Sequence, residues 1–148
     1  MGRDLVDRVR DLVGADAPPV ERARRVADAV RAGTGQRWVG IYAVEHEEVV
    51  NLAWSGPGPP AHPRFPIGSG LTGAAIEKRA TILSNDVAND SRYLTTSDTT
   101  GSEIIVPVLA DDRVVGTLDV ESVRTGAFGE EDRRAFQRVA AELLPLFL

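Results

Sequence analysis

The amino-acid sequence predicts one α+β domain in which helices cover an antiparallel sheet. Two apolar stretches between Gly101 and Ser122, separated by a polar turn, have the pattern of a β-hairpin. Segments near both ends of the chain repeat apolar residues at helical spacing. Helices segregated around an antiparallel sheet are typical of the α+β class, and 148 residues are enough for one such domain with its own core.

The first two predicted elements are amphipathic helices. Residues 3–13 carry an apolar stripe, and prolines 18 and 19 end that helix because proline cannot continue it. The stripe consists of Leu5, Val9, Leu12 and Val13. A second helix over residues 19–33 ends at Gly33 and has the apolar residues Val20, Ala23, Val26, Ala27 and Val30.

A hairpin of two strands, residues 37–44 and 49–55, is predicted next. Alternation places Trp38, Gly40 and Tyr42 on one side of the first strand. The proline-rich segment 56–63 cannot form regular structure, so we expect a surface loop there. A brief strand over 64–67 follows it.

The glycines at 68, 70 and 73 spell G-x-G-x-x-G before a predicted helix over 71–79. Asp86 lies 18 residues beyond the first glycine, so a dinucleotide site has to be weighed. That fingerprint needs a buried parallel strand before the glycines, whereas this chain has a proline-broken strand after a loop. We therefore interpret the glycines as a tight strand-to-helix turn with close packing.

The remaining elements complete the sheet and its cover. Residues 80–84 predict a short strand, and the polar segment 85–100 predicts a lid. The hairpin strands span about 102–109 and 113–122, and a last helix after Gly129 carries an apolar face from Phe136 to Phe147. We expect the first, second and last helices on one sheet face, and the middle helix with the lid on the other.

Three acidic residues are predicted on one side of the hairpin. Alternation groups Val115, Thr117, Asp119 and Glu121 opposite an apolar set of Val114, Gly116, Leu118 and Val120. Glu103 lies in the phase that would place it beside Asp119 and Glu121. A solvated sheet face and a polar-lined pocket both fit this pattern. In a pocket, the carboxylates would need a cationic ligand or hydrogen-bond donors.

Composition excludes several classes of function. The chain has no cysteine, so disulfides, thiol nucleophiles and thiolate metal ligands are absent, and with two histidines we expect no metal site and no cofactor. A net charge of −5 gives no reason to expect nucleic-acid binding. Without a membrane-spanning run or signal-peptide pattern, we expect a cytoplasmic protein that does not bind membranes.

Several motifs together resemble the GAF domain over about residues 18–147. The chain of residues 1–148 would then be a single GAF domain, in which residues 1–17 form an N-terminal helix and linker. The motifs are GSGLTG (68–73), NDV (85–87), SEIIVP (102–107), GTLDVES (116–122) and Phe128-x-x-x-Asp132. The resemblance implies a GAF/PAS-like six-stranded antiparallel sheet with helices on both faces and a ligand pocket under the middle helix and the lid.

Within that family the sequence is similar to the free methionine-R-sulfoxide reductases, from WVGIY (38–42) through SEIIVPV and GTLDVES. The resemblance implies that the residues matching the substrate-holding positions of those enzymes are Trp38, Tyr42, Glu103, Asp119 and Glu121. We also expect ligand contacts from Phe65, Thr72, Asp86 and Tyr93. Where those enzymes carry cysteines this chain has His62, Thr72 and a residue near Thr95, so reduction through a sulfenic acid is excluded and we expect no enzyme.

Three functions are compatible with these patterns. The first is a binding or sensor module for signal transduction, whose pocket takes a small cationic ligand such as free methionine or its sulfoxide. The second is a structural module with a vestigial pocket, which dimerises through its N-terminal helix and the apolar tail 143–148. The third is an enzyme of unknown type. A homodimer through helices is expected under either of the first two.

Overall fold

The computed structural model describes residues 3–95 and 99–148. Part of the predicted lid, residues 96–98, lies outside the described residues. The helices are α1 (Arg3–Val13), α2 (Pro19–Thr34), α3 (Gly70–Lys78) and α4 (Glu130–Ala140). The strands are β1 (Trp38–Val44), β2 (Glu48–Ser55), β3 (Arg64–Pro66), β4 (Ile82–Ser84), β5 (Ser102–Ala110) and β6 (Arg113–Ser122).

The six strands form one sheet in the order β3-β2-β1-β6-β5-β4, and each neighbouring pair is antiparallel. This confirms the predicted α+β class and the six-stranded sheet. The β5–β6 hairpin lies inside the sheet, with β1 on one side and β4 on the other. Other elements must therefore cover the side chains that the hairpin places on both faces of the sheet.

One face of the sheet packs against α1, α2 and α4. Val9 of α1, Val26 of α2 and Phe136 of α4 are fully buried in a single apolar cluster with residues of four strands. The strand residues include Val39, Ile41, Ala53, Ile104, Val106, Leu118 and Val120. The predicted helix stripes thus form the main core of the domain.

The other face carries α3, which packs over β4 and β5. Leu71 and Ala75 of α3 contact Ile82 and Ile105 in a second apolar cluster. Helix α3 approaches closely at Gly73, where a Cβ would lie 2.5 Å from the backbone carbon of Gly68. Gly70 has a φ of 72°, which favours glycine. The interpretation of a tight turn is confirmed, and β3 is an antiparallel edge strand unlike that of a dinucleotide fold.

Three local predictions were wrong. Val20 is 56% exposed because it lies at the start of α2, before the buried stripe. The last helix ends at Ala140, and a 3-10 turn over Leu144–Phe147, with Pro145 near its start, follows it. In β6 a bulge opposite Val108 and Leu109 interrupts the alternation, and Val115 packs in the main core instead of facing the acids.

Within the described residues, no helix has both the length and the apolar character that crossing a membrane requires.

Candidate functional site

The structure brings the three predicted acidic residues together on the α3 side of the sheet. Glu103 of β5 lies directly opposite Glu121 of β6, and Asp119 is two residues along β6. The exposed fractions of Glu103, Asp119 and Glu121 are 6%, 4% and 6%. Of the two alternatives, the enclosed acidic site fits the structure and the solvated sheet face does not.

Threonine hydroxyls stabilise two of these carboxylates. Thr117 donates to Oδ1 of Asp119 at 2.9 Å, and Thr72 of α3 lies 3.5 Å from Oδ2. Thr100 donates to Oε1 of Glu121 at 2.7 Å. Among the described residues, none donates a hydrogen bond to the carboxylate of Glu103. The described threonine donors therefore serve Asp119 and Glu121, and Glu103 has no donor among the described residues.

Burial changes the ionisation of the acidic cluster. Desolvation, opposed in part by the hydrogen bond from Thr117, raises the pKa of Asp119 to about 8. Desolvation, together with the charges of Glu121 and Asp119, raises the pKa of Glu103 well above its usual range. The pKa of the Tyr42 phenol also rises, first through burial and then through the neighbouring acids. Burial thus favours the protonated forms of Asp119 and Glu103 near neutral pH.

Two aromatic rings of β1 stand beside the acids. Trp38 is paired with Glu121 across the β1–β6 ladder, and Tyr42 is paired with Thr117. The residue between them is Gly40, where a Cβ would lie 2.4 Å from the Trp38 ring. The indole therefore lies against the bare backbone of β1, and any side chain at residue 40 would displace it.

The aromatic wall continues beyond β1. The ring centroids of Trp38 and Tyr42 are 6.4 Å apart, and Phe65 of β3 meets Tyr42 edge-on at 5.8 Å. The Trp38 indole donates to the carbonyl of Gly58 at 3.0 Å and so ties the proline-rich loop to the sheet. This loop was predicted only as surface, yet it forms a wall of the site.

A cavity of about 170 Å³ opens between this loop and the strands. Its lining combines Trp38, Tyr42 and Glu121 with Arg37 and the loop residues Pro57, Gly58, Pro59, Pro60 and Ala61. Sites for drug-sized ligands occupy roughly 300–1,000 Å³. The cavity is smaller than such sites, which suits a small metabolite, and Glu121 is the member of the acidic cluster that lines it.

Of the nine predicted contact residues, three line this cavity, namely Trp38, Tyr42 and Glu121. The other six are not part of its lining: Phe65, Thr72, Asp86, Tyr93, Glu103 and Asp119. Asp86 is exposed, and its carboxylate accepts a hydrogen bond of 2.7 Å from Asn89 within a 3-10 turn. Tyr93 is half-buried and packs against the apolar cluster under α3. The structure does not bring Asp86 to the acids, because the local turn uses its side chain.

Two positions where the resemblance implied cysteines lie next to each other. Nε2 of His62 is 3.0 Å from the carbonyl oxygen of Thr95. This contact links the proline-rich loop to the polar segment that was predicted as a lid. Thr72, the other such position, is the residue beside Asp119.

Sequence reasoning missed three residues of the site. Alternation had placed Thr117 on the acidic side, but only the structure shows it as a donor to Asp119. Thr100 precedes β5, and no sequence pattern marks it as a donor to Glu121. Arg37 comes just before β1 and lines the cavity, which depends on the path of the distant loop.

Comparisons with known proteins agree with this architecture. Residues 16–143 match the family model described as GAF domain. The GAF domain-containing protein A of Dictyostelium discoideum is 26% identical over 92% of this chain and 85% of its own length. The free methionine-R-sulfoxide reductase of Escherichia coli is 29% identical over 74% of this chain and 66% of its own.

Among solved structures, a free methionine-R-sulfoxide reductase from Neisseria meningitidis in complex with its substrate superimposes with a TM-score of 0.89. It is 29% identical, and the match covers 98% of this chain and 87% of that one.

These similarities overturn the expectation that the protein is not an enzyme. Relatives of known activity that match most of the chain, from Escherichia coli and Neisseria meningitidis, are reductases. The expectation was wrong because it inferred too much from the lack of cysteine. That lack removes the route through a sulfenic acid on this chain, but it does not remove enzymatic activity as such.

Proposed function

The chain belongs to the GAF domain family, and we propose that its cavity binds a free amino acid such as methionine or methionine sulfoxide. The observation that carries the proposal is the convergence of Glu103, Asp119 and Glu121, all buried, beside the rings of Trp38 and Tyr42. An α-ammonium group would supply positive charge to the cluster and donors to Glu103, which has none among the described residues.

Charge is the first argument for such a ligand. Buried carboxylates are costly unless they are paired or protonated. The threonine hydroxyls that donate to Asp119 and Glu121 are neutral and do not balance the charge of a carboxylate. A ligand ammonium has three donors, and each hydrogen bond to a carboxylate is worth about 1.5–3 kcal/mol.

The aromatic wall is the second argument. A cation held over Trp38 or Tyr42 gains about 0.5–2 kcal/mol, depending on how far it is desolvated. The same rings can pack against a thioether or sulfoxide chain, since sulfur makes favourable contacts with aromatic groups. The small volume of the cavity, about 170 Å³, suits a single amino acid better than a nucleotide.

Similar proteins support the choice of amino acid. The reductases in question act, by their names, on free methionine-R-sulfoxide, and the Neisseria meningitidis structure contains its substrate. In this proposal the domain is a binding or sensor module, and the signal is the binding of the amino acid at the acidic cluster.

Calorimetric titration tests the proposal. We expect binding heat with L-methionine or its sulfoxide at millimolar concentration or below, and at least a tenfold loss with Glu103→Gln. The exposed-turn variant Asp112→Asn is the matched control and should bind as the unchanged protein does. Absence of heat with every free amino acid would refute the proposal. Incubation of the same samples with dithiothreitol, followed by amino-acid analysis, measures whether bound sulfoxide is also reduced.

The alternative of a dimerising structural module draws less support from the contacts within the chain. The expected interface residues Leu5, Val9, Leu143 and Leu146 are buried within this chain. Leu148 is 83% exposed and is available at the end of the tail. The homodimer stays a prediction, and light scattering at tens of micromolar protein tests it.

A further inference from the structure

Arg37 stands out among the residues that line the cavity. It immediately precedes β1, and its backbone is held by a hydrogen bond from Nε of Arg31 to its carbonyl oxygen at 3.1 Å. The residue is only half-exposed and borders the same cavity as Trp38, Tyr42 and Glu121. Among the described cavity-lining residues, Arg37 is the one cation.

The guanidinium of Arg37 has no partner within the described ranges. It forms no ion pair and donates no hydrogen bond to residues 3–95 or 99–148. Arg10, Arg24 and Arg92, by contrast, are each paired with a carboxylate. An unpaired arginine that borders a cavity has all five of its donors available to a bound anion.

The lining of the cavity therefore carries charges of both signs. Its lining contributes one acid of the cluster, Glu121, and one cation, Arg37, while Glu103 and Asp119 adjoin Glu121 in the sheet. A free amino acid brings an ammonium, which the acidic cluster attracts, and a carboxylate, which the same cluster repels. Binding of the zwitterion requires a positive group for that carboxylate, and a planar guanidinium binds carboxylates in a bidentate manner.

We propose that Arg37 binds the α-carboxylate of the ligand, and that the cavity thereby selects zwitterionic α-amino acids over amines that lack a carboxylate. This inference rests on the proposed function. It adds a specificity-determining residue at the position just before β1.

The test compares two ligands and two variants by calorimetry. The ligands are L-methionine sulfoxide and 3-(methylsulfinyl)propylamine, which has the same chain and ammonium but no carboxylate. Arg37→Gln should weaken binding of the amino acid about 10-fold to 100-fold and change binding of the amine less than about threefold. Arg37→Lys should recover part of the amino-acid affinity, because it restores the charge without the bidentate geometry.

Arg113→Gln is the control for loss of one positive charge. Arg113 is exposed at the far end of β6, roughly 25 Å from Glu121 along the strand. This control should bind both ligands as the unchanged protein does, and thermal melting of all variants verifies that they are folded.

The outcomes separate the two proposals. Equal affinity of Arg37→Gln and the unchanged protein for the amino acid would overturn the role of Arg37, as would an equal loss for both ligands. Binding of the amine but not of the amino acid by the unchanged protein would also overturn it, while leaving a cation site intact. Binding of neither ligand would overturn the proposed function itself.

Discussion

Glu103 and Glu121 lie directly opposite each other on neighbouring antiparallel strands, and both side chains are buried. Like charges in this position destabilise a sheet. The pair is tolerable when the cluster holds protons, or when a cation lies between the carboxylates. The stability of the fold, the protonation of these carboxyl groups and the affinity for a cationic ligand should therefore depend on one another.

The stability of the ligand-free protein should decrease as the pH rises from about 4 to about 8. The pKa of Asp119 is about 8 in the folded state, well above its ordinary value of 3.8. Between these two pKa values the folded protein holds a proton on Asp119 that the unfolded chain has lost. The free energy of unfolding therefore gains from this proton at low pH. The gain decreases as the pH rises and is lost once the pH passes the folded pKa. One such group contributes a slope of at most about 1.4 kcal/mol per pH unit.

Urea unfolding at several pH values measures this slope. Asp119→Asn cannot ionise at this position and should show a flatter dependence, with a higher free energy of unfolding at pH 8 than the unchanged protein. Asp112→Asn, in the exposed turn between β5 and β6, should leave the slope unaltered. An Asp119→Asn slope equal to that of the unchanged protein would contradict the raised pKa.

Binding of an amino acid should release protons. The ammonium stabilises ionised carboxylates, whereas burial alone favours the protonated forms of Asp119 and Glu103. Affinity should therefore increase between pH 6 and pH 8, by up to about tenfold per pH unit for each proton released. Titrations in two buffers of different ionisation enthalpy count the protons. Identical heats in both buffers at pH 7 would argue against this linkage.

Gly40→Ala should disrupt the aromatic wall. The new methyl group would lie 2.4 Å from Cη2 of Trp38, so the indole would have to leave its place beside Glu121. We expect at least a tenfold loss of amino-acid affinity and a destabilisation of about 1–3 kcal/mol. Titration and chemical denaturation measure the two effects. Gly68→Ala is the control, because a Cβ there has no atom within 4 Å and the residue does not line the cavity, so affinity should stay within about threefold.

Gly73→Ala should destabilise the protein through the contact of α3 with the preceding turn. The added Cβ would lie 2.5 Å from a backbone carbon of Gly68, which cannot move as freely as a side chain. The expected loss is about 1–3 kcal/mol in the free energy of unfolding. Gly68→Ala has open space around the new atom and should cost little by the same measurement. Equal stability of the two variants would show that the turn can relax.

Alternation along the strands was sufficient to group the main residues of the site. Successive side chains of a strand point to opposite faces, so the sequence placed Asp119 and Glu121 together, and the turn between β5 and β6 brought Glu103 to their side. The same local rule failed at Val115, because a bulge depends on how β5 and β6 are paired. It also could not foresee the end of α4 at Ala140, where the tail turns back over the sheet.

By itself, then, the sequence determined the helices, the strands and the sides on which their residues lie, since these follow from spacing between near neighbours. Only the tertiary structure decided that the acids are buried, that Thr100 donates to Glu121, and that Arg37 borders the same cavity. Those relationships join residues distant in the chain through the packing of α3 and the proline-rich loop on the sheet. The burial of a side chain and its hydrogen-bond partners depend on that packing, and no local sequence pattern encodes them.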